Sequence, residues 1–327
     1  AHVWAMGEHV LVSGVVDYIL RGEAEWSLLE LCRLLAGGKG ESEARATIPG
    51  IGFRRGPGIY LHPEYGVVDN LDDLPRPARH LLNPDAYRLG GVRYAMIQTS
   101  RGCPHDCGFC VLPTTPCARF RHRSPHNVMA ELVQCAAQWG VSHFDLEDDN
   151  FVANRKHAEA ILHGIRRAGL GNIGLSAMNG IAAHSLTPAL TTLLKEAGFT
   201  HMDLALVSSH TGSRASAGRP GSLTQFSNIL SHVAKEGLRT TVHMILGLPG
   251  DKIENMLQTL LYLLEQPCFI GASVYYPVPG SALFQSQTEQ IRFHEPSFWR
   301  ATLASCENFE GERDQIMTLF YLARMTN

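Results

Sequence analysis

Thr99-Ser100-Arg101-Gly102-Cys103-Pro104-His105-Asp106-Cys107-Gly108-Phe109-Cys110 carries three cysteines spaced C-x3-C-x2-C. The Pro, His, Asp and Gly residues between them mark a loop and argue against three plain core cysteines. Three thiolates on one loop can wrap an iron–sulfur cubane, each binding one iron. The fourth iron then lacks a cysteine ligand, and an open metal position is what separates catalytic from closed structural sites. Zinc is the alternative occupant, with His105, Cys117 or His122 as a further ligand, although only one of the usual paired C-x2-C knuckles occurs.

Outward from this loop, short apolar runs alternate with amphipathic stretches of helical length. Strands are expected at Tyr94–Thr99, His143–Glu147, Ile173–Ala177, Met202–Val207, Thr240–Leu246 and Ala272–Tyr276. Most read as continuously apolar, the pattern of parallel strands covered on both faces. Helices are expected near 126–139, 155–168, 187–197, 223–236 and 253–266. Ser124-Pro125 supplies a capping hydroxyl and a first-turn proline. Gly140, Gly169, Gly198 and Gly237 follow helices where a left-handed closing residue is wanted.

Strands alternating with helices imply right-handed crossovers and a parallel sheet. The count falls short of the full α/β barrel's eight. The fold class is therefore α/β, a partial (β/α)6 TIM-like barrel over 91–285 with a smaller, truncated N-terminal α/β remnant over 1–65. In that remnant Val10–Val16 reads as a strand or a helix start and Trp26–Leu35 as an amphipathic helix. Residues 66–90, with Pro75, Pro77 and Pro84, read as an extended linker. Residues 286–327 form a C-terminal extension, polar at first and then helical over Gln315–Met325.

With 28 basic and 31 acidic side chains, net charge −3, nothing favours nucleic acid or an anionic membrane as partner. No apolar run is long enough to span a bilayer. The start lacks both a secretory pattern and an initiating Met, so the chain reads as trimmed or a fragment. Eight cysteines, three of them within eight positions, suggest metal binding in a reducing cytoplasm. Arg119-Phe120-Arg121-His122-Arg123 is the one basic run; it reads as a solvated approach to the first helix, with anion or nucleic-acid binding as the alternative. Cys135 and Cys268 read as buried, and Cys117 is the candidate catalytic thiol.

The C-x3-C-x2-C loop after the first barrel strand, with aromatic Phe109 before its third cysteine, resembles the radical S-adenosylmethionine superfamily. The resemblance covers about 91–285. It implies that Cys103, Cys107 and Cys110 hold a 4Fe–4S cluster. The free iron chelates the amino and carboxylate groups of S-adenosylmethionine, and one-electron reduction cleaves that cofactor to methionine and a 5′-deoxyadenosyl radical. It further implies cofactor contacts from Phe109, from Glu147 and Asp148 toward the ammonium, and from Asn179. Ser208 near the ribose, Arg219 near the carboxylate, Gly247 near the adenine and Tyr276 complete the set. A small-molecule substrate and a flavodoxin- or ferredoxin-type electron donor follow from the same resemblance.

Val16-Asp17-Tyr18-Ile19-Leu20-Arg21-Gly22-Glu23-Ala24-Glu25 resembles the close of the cobalamin-binding domain in one subgroup, and 69–80 resembles that subgroup's linker. Complete members present a histidine to cobalt from an Asp-x-His-x-x-Gly loop, a string this sequence lacks. Cobalamin is therefore expected only where an upstream segment supplies that loop. The expected activity is reductive cleavage of S-adenosylmethionine that starts methylation or ring formation. A non-catalytic iron–sulfur or zinc-binding derivative is the alternative. A transfer-RNA methylthiotransferase would need a further three-cysteine domain and a basic tail.

Overall fold

Six strands follow the expected order in the computed structural model of the chain, which describes residues 2–38, 45–170, 172–219, 221–286 and 313–327. They are β5 (Val92–Ile97), β8 (His143–Leu146), β9 (Gly174–Ser176), β10 (His201–Val207), β11 (Arg239–Leu246) and β12 (Phe269–Val274). β5, β8 and β9 pair in parallel, Tyr94 opposite His143 and Phe144 opposite Leu175. β10, β11 and β12 form a second parallel sheet, Met202 opposite Thr240 and Val242 opposite Ile270. Isolated parallel bridges, Leu175–Phe199 and Ile181–Leu204, link the two. β4 (Arg88–Leu89) adds an antiparallel edge to β5.

Helices cover one face of these sheets: α3 (Pro125–Trp139), α4 (Arg155–Arg167), α5 (Pro188–Ala197), α7 (Leu223–Lys235) and α8 (Ile253–Leu264), with the short α6 (Thr211–Ser216) between α5 and α7. Side-chain oxygens of Ser124, Asn154, Thr187 and Ser222 accept the backbone N–H three residues on and so cap four of them. All four closing glycines have positive φ, as the sequence requires. Val128, Leu132, Ile161, Ile165, Leu190, Leu194, Leu230, Val233 and Leu263 pack on the strands and are fully or almost fully buried.

The strands are not apolar on both faces. Met202, Leu204 and Leu206 are buried under helices, whereas His201, Asp203 and Ala205 alternate onto the opposite, half-open face. β8 and β11 repeat the pattern, with His143, Thr241, His243 and Ile245 on that second face. The period-2 geometry of a strand sends alternate residues to opposite sides, and here one side is half-open and carries polar side chains.

The N-terminal part holds α1 (His2–Val12), β1 (Tyr18–Leu20), α2 (Glu25–Ala36), β2 (Ile51–Arg55) and β3 (Gly58–Leu61). Its strands pair antiparallel in the order β1-β2-β3. Leu31, Ile48, Ile51 and Phe53 make a small core of their own. Residues 10–12 close α1 and 13–16 follow it as a turn, so Val10–Val16 is neither a strand nor a helix start but a helix end.

The proline-rich stretch after it is not a free linker. It forms 3-10 turns at Leu71–Asp73, Arg79–Leu81 and Pro84–Ala86. Arg79 pairs with the buried Glu131 of α3 at 2.5 Å and donates to Met96 O at 2.7 Å. At the other end α10 (Arg313–Met325) buries Ile316, Leu319 and Ala323. The Asn327 amide then accepts from Ile270 N at 2.6 Å and donates to Ile270 O at 2.9 Å, standing in for a neighbouring strand beside β12. The polar stretch after 286 and Cys306 lie outside the described residues.

Phe144, on β8 and 0% exposed, tests this core. Phe144→Ala should cost about 3–5 kcal/mol in equilibrium unfolding. Leu261→Ala on the exposed face of α8 should change stability by less than about 0.5 kcal/mol.

Candidate functional site

The cysteine loop starts where β5 ends. Its stem is two short strands, β6 (Ser100–Arg101) and β7 (Arg121–His122), paired antiparallel. At the tip of β8, Asp148 is 1% exposed. Its carboxylate accepts Thr99 N at 2.7 Å, Ser100 N at 2.6 Å and the Thr99 hydroxyl. Asp149 accepts Gly102 N at 2.9 Å. Gly102 has φ 83°, and a Cβ there would lie 2.4 Å from Arg119 O, so only glycine lets the chain turn into the first cysteine.

From below, the segment after α6 supports the loop. Gly108 N donates to Ala217 O at 3.3 Å and Arg219 Nε donates to Cys107 Sγ at 2.9 Å. Cys107 is buried, while Cys103 and Cys110 are half-buried. Burial pushes the Cys103 and Cys110 thiols up; the neighbouring Cys107 adds to this and the Arg219 cation offsets part of it. Both outer thiols thus share Cys107 and Arg219 as neighbours. Among the described residues no group of three His, Cys, Asp or Glu side chains is gathered as round one metal ion. The fit of a cluster therefore rests on thiols that each meet a different iron.

At the carboxyl ends of the strands lies a cavity of about 360 Å³, lined among others by Phe109, Asn179, Val207, Arg219, His243 and Tyr276. Four residues singled out in the sequence, Phe109, Asn179, Arg219 and Tyr276, thus meet there. Glu147 joins them at one remove, since Asn179 Nδ2 donates to its carboxylate at 3.1 Å. Burial and the neighbouring Asp145 push the Glu147 carboxyl up. Val207 is the one non-glycine residue with positive φ among the described residues, 72°, at a register shift that ends β10. A β-branched residue held there stores about 1–3 kcal/mol of strain at the cavity wall.

Three expected contacts lie elsewhere. Asp148 is consumed by the loop backbone and does not face the cavity. Ser208, 1% exposed, meets Thr259 of α8 at 3.3 Å and accepts His210 N. Gly247 N donates to Met256 Sδ at 3.3 Å, under α8. Cys117 lies by Gly66 O, outside the cavity lining, and burial raises its thiol, the opposite of an activated nucleophile. Cys135 is buried and Cys268 half-buried. The basic run is solvated only in part: Arg119, paired with Asp69, and His122 are exposed, whereas Arg121 is buried against Glu23 and Arg123 half-buried against Glu131.

The half-open face of the strands adds groups the sequence reading passed over. His243 Nε2 meets Asp203 Oδ1 at 2.9 Å, and His201 lies 3.7 Å from the same oxygen. His143 Nε2 meets Ser176 Oγ at 3.0 Å, and Ser176 donates to the fully buried Asp145 at 2.6 Å. Burial together with Asp145 and Glu147 pushes the Tyr94 phenol up to about 12. The polar members at alternate positions of His143–Leu146 and His201–Val207 were the available signal.

Residues 97–263, just over half of the chain, match the family model described as the radical SAM superfamily. The chain belongs to this superfamily. Its members use a 4Fe–4S cluster and S-adenosylmethionine. An uncharacterized methyltransferase of Pyrococcus horikoshii is 25% identical over 83% of this chain and 58% of its own length. The anaerobic magnesium-protoporphyrin IX monomethyl ester cyclase of a Synechocystis strain is 33% identical over 43% of this chain and 27% of its own length. The solved radical S-adenosylmethionine methyltransferase TsrM of Kitasatospora setae superposes with TM-score 0.72 at 20% identity, covering 88% of this chain and 57% of that one. The chain thus spans less than two thirds of each. Among the described residues of this radical SAM chain, no helix is long and apolar enough to cross a membrane.

Burial holds the Asp148 carboxyl at about 6, above the ordinary 3.8, while its three donors pull the other way. The folded chain therefore keeps this proton to higher pH than the unfolded chain. The associated stability is full below about pH 4 and lost as pH rises through about 6. In urea unfolding of cluster-free chain, wild type should lose on the order of 2 kcal/mol relative to Asp148→Asn between about pH 4 and 7. A gap that stays constant or widens in favour of wild type would contradict this.

Proposed function

We propose that this chain is the S-adenosylmethionine-cleaving core of an enzyme that starts methyl transfer or ring formation on a small organic substrate. The observation that carries the reading is the cavity at the carboxyl ends of the strands, where parallel α/β folds place their sites; it is lined by Phe109 of the cysteine loop and by Arg219, which donates to the Cys107 sulfur. The methyltransferase and cyclase relatives favour the same two outcomes. β5, β8, β9, β10, β11 and β12 are read as one six-strand arc, the partial (β/α)6 barrel, with the two isolated bridges as its seam. The division into 1–65, 66–90, 91–285 and 286–327 belongs to the same reading.

Cys103, Cys107 and Cys110 hold the cluster in this scheme. A bound 4Fe–4S cluster supplies the electron for reductive cleavage of S-adenosylmethionine. The Arg219 N–H on the Cys107 sulfur withdraws electron density there, which raises a cluster's potential. Glu147, steadied by Asn179, offers a carboxylate to the cofactor's ammonium. Phe109, Val207 and Tyr276 wall the cavity against water. His243, which lines the cavity and is oriented by Asp203, is the group suited to accept a substrate proton. A flavodoxin- or ferredoxin-type protein of the cytoplasm is the proposed electron donor. Cobalamin is reserved for a chain in which a further segment supplies the histidine loop, since these 327 residues contain no Asp-x-His-x-x-Gly string. No step is assigned to it.

Anaerobically reconstituted wild type should bind about four irons and four sulfides per chain. With dithionite and S-adenosylmethionine it should release 5′-deoxyadenosine or a demethylated cofactor product. Alanine at any one of Cys103, Cys107 or Cys110 should reduce both turnover and visible cluster absorbance to background. An intact cluster that neither binds nor cleaves the cofactor would leave the non-catalytic derivative as the answer, and a stoichiometric zinc ion would overturn the assignment.

A further inference from the structure

The stem of the cysteine loop is too slight to hold itself. β6 and β7 share two residue pairs, Ser100–His122 and Arg101–Arg121, and between them run nineteen residues that include all three cluster cysteines and Cys117. A two-stranded ladder is marginal in water even when much longer. Something outside the loop must fix its ends.

That group is Glu23, in the turn between β1 and α2. Its side chain is 9% exposed and the facing Arg121 side chain 6%. Arg121 Nη2 donates to Glu23 Oε1 at 2.7 Å and Nη1 to Oε2 at 2.8 Å, a two-pronged fork. Glu23 Oε2 also accepts Val68 N at 2.6 Å and lies 3.5 Å from Arg101 Nη1. One carboxylate thus faces both strands of the stem. The same guanidinium reaches back into the loop: Nε donates to Arg119 O at 3.2 Å and Nη2 to Cys117 O at 3.4 Å, while Nη1 donates to Val68 O. The Arg121 partnership holds the Glu23 carboxyl below its usual range although burial alone would raise it.

The turn carrying Glu23 is itself wedged. Glu23 N donates to Gly66 O at 2.8 Å. A Cβ on Gly22, whose φ is 95°, would lie 2.3 Å from Gly66 O, and one on Gly66 would lie 2.2 Å from Glu23 O. Backbone meets backbone here with no room for side chains, so the carboxylate is delivered from a fixed point.

Building on the cluster reading, we infer that Glu23 is a positioning residue of the cluster loop, an ionic latch on Arg121 and Arg101 that sets the stem from which the three cysteines are presented. Its carboxylate bonds none of Cys103, Cys107 and Cys110 and does not line the cavity; the thiol it neighbours is that of Cys117. Removing this carboxylate loosens the stem on the Arg121 side, where no other carboxylate reaches that guanidinium among the described residues. Asp148, Asp149 and the 2.5 Å Arg101–Glu25 pair still hold the first strand, and Ala217, Arg219 and Leu283 still meet the loop near Gly108, so the strand and helix core stays folded.

The test has two readouts on full-length chain. The first is backbone hydrogen exchange of cluster-free protein, which needs no cofactor. Glu23→Gln should speed exchange across 101–122 by about tenfold or more and leave α3 to α8 unchanged. The second is the rate at which an iron chelator strips the reconstituted cluster, expected to rise by a similar factor with the electron spin resonance of the reduced cluster broadened. Arg121→Gln should match it, and the double variant should be no faster than either single one. Glu30→Gln, on the exposed surface of α2, should move neither readout. Unchanged exchange in 101–122, or exchange accelerated evenly over the whole chain, overturns the latch. A wild type that takes up no cluster while the exchange result holds overturns the cluster reading and leaves the latch standing.

Discussion

The buried carboxylate of Asp148 is the constraint from which the rest of the site follows. It collects two backbone N–H groups and a hydroxyl from Thr99 and Ser100, the residues that lead from β5 into the cysteine loop. A hydrogen bond to a charged group contributes about 1.5–3 kcal/mol, and leaving those N–H groups unpaired inside the protein would cost a similar amount each. The exit of the first parallel strand is therefore tied to the tip of its neighbour. The adjacent Asp149 extends the tie to Gly102 N, one residue before Cys103. The acidic string after β8 thus serves first as the anchor of the loop.

From that anchor the loop is supported on three sides. Arg219 and Ala217 meet it from the segment after α6. Leu283 N donates to Gly108 O from beyond β12. The N-terminal turn holds its stem through Glu23. These contacts come from positions as far as 260 residues apart in sequence, Glu23 to Leu283, so the loop's geometry is a property of the whole fold. The cavity shares part of this support, because Arg219 serves the Cys107 sulfur and the cavity wall together.

β10 shows how a strand divides its chemistry between its two faces. Apolar residues at even positions of β10, Met202, Leu204 and Leu206, pack under helices. The odd positions hold His201 and Asp203, whose polar groups pair with Thr241 and His243 of β11. Polar groups at that depth are tolerable because they satisfy one another and face open space. His243 also lies over Gly271 of β12, where a Cβ would approach its ring to 2.6 Å, so a bare position on one strand makes room for the ring of the next.

Much of this was legible in the residues. Helix caps, closing glycines, the order of strands and the three-cysteine spacing are local signals, set by backbone sterics and by the ligand chemistry of thiolates within a few positions. Phe109, beside the cysteine motif, and Asn179 and Tyr276, after strand ends, could be named from their places in the pattern, and Arg219 only from the Arg-Pro pair that the family resemblance implied. The sequence by itself could not divide the remaining polar residues between cavity and core. Asp148 and Glu147 are adjacent, and Ser208 looks like any loop serine; burial and pairing across elements separated them. The same holds for Arg119, Arg121 and Arg123, a cationic run on paper whose charges are each met by a distant carboxylate. Such pairings depend on which segments the fold brings together, and that is decided only by tertiary packing.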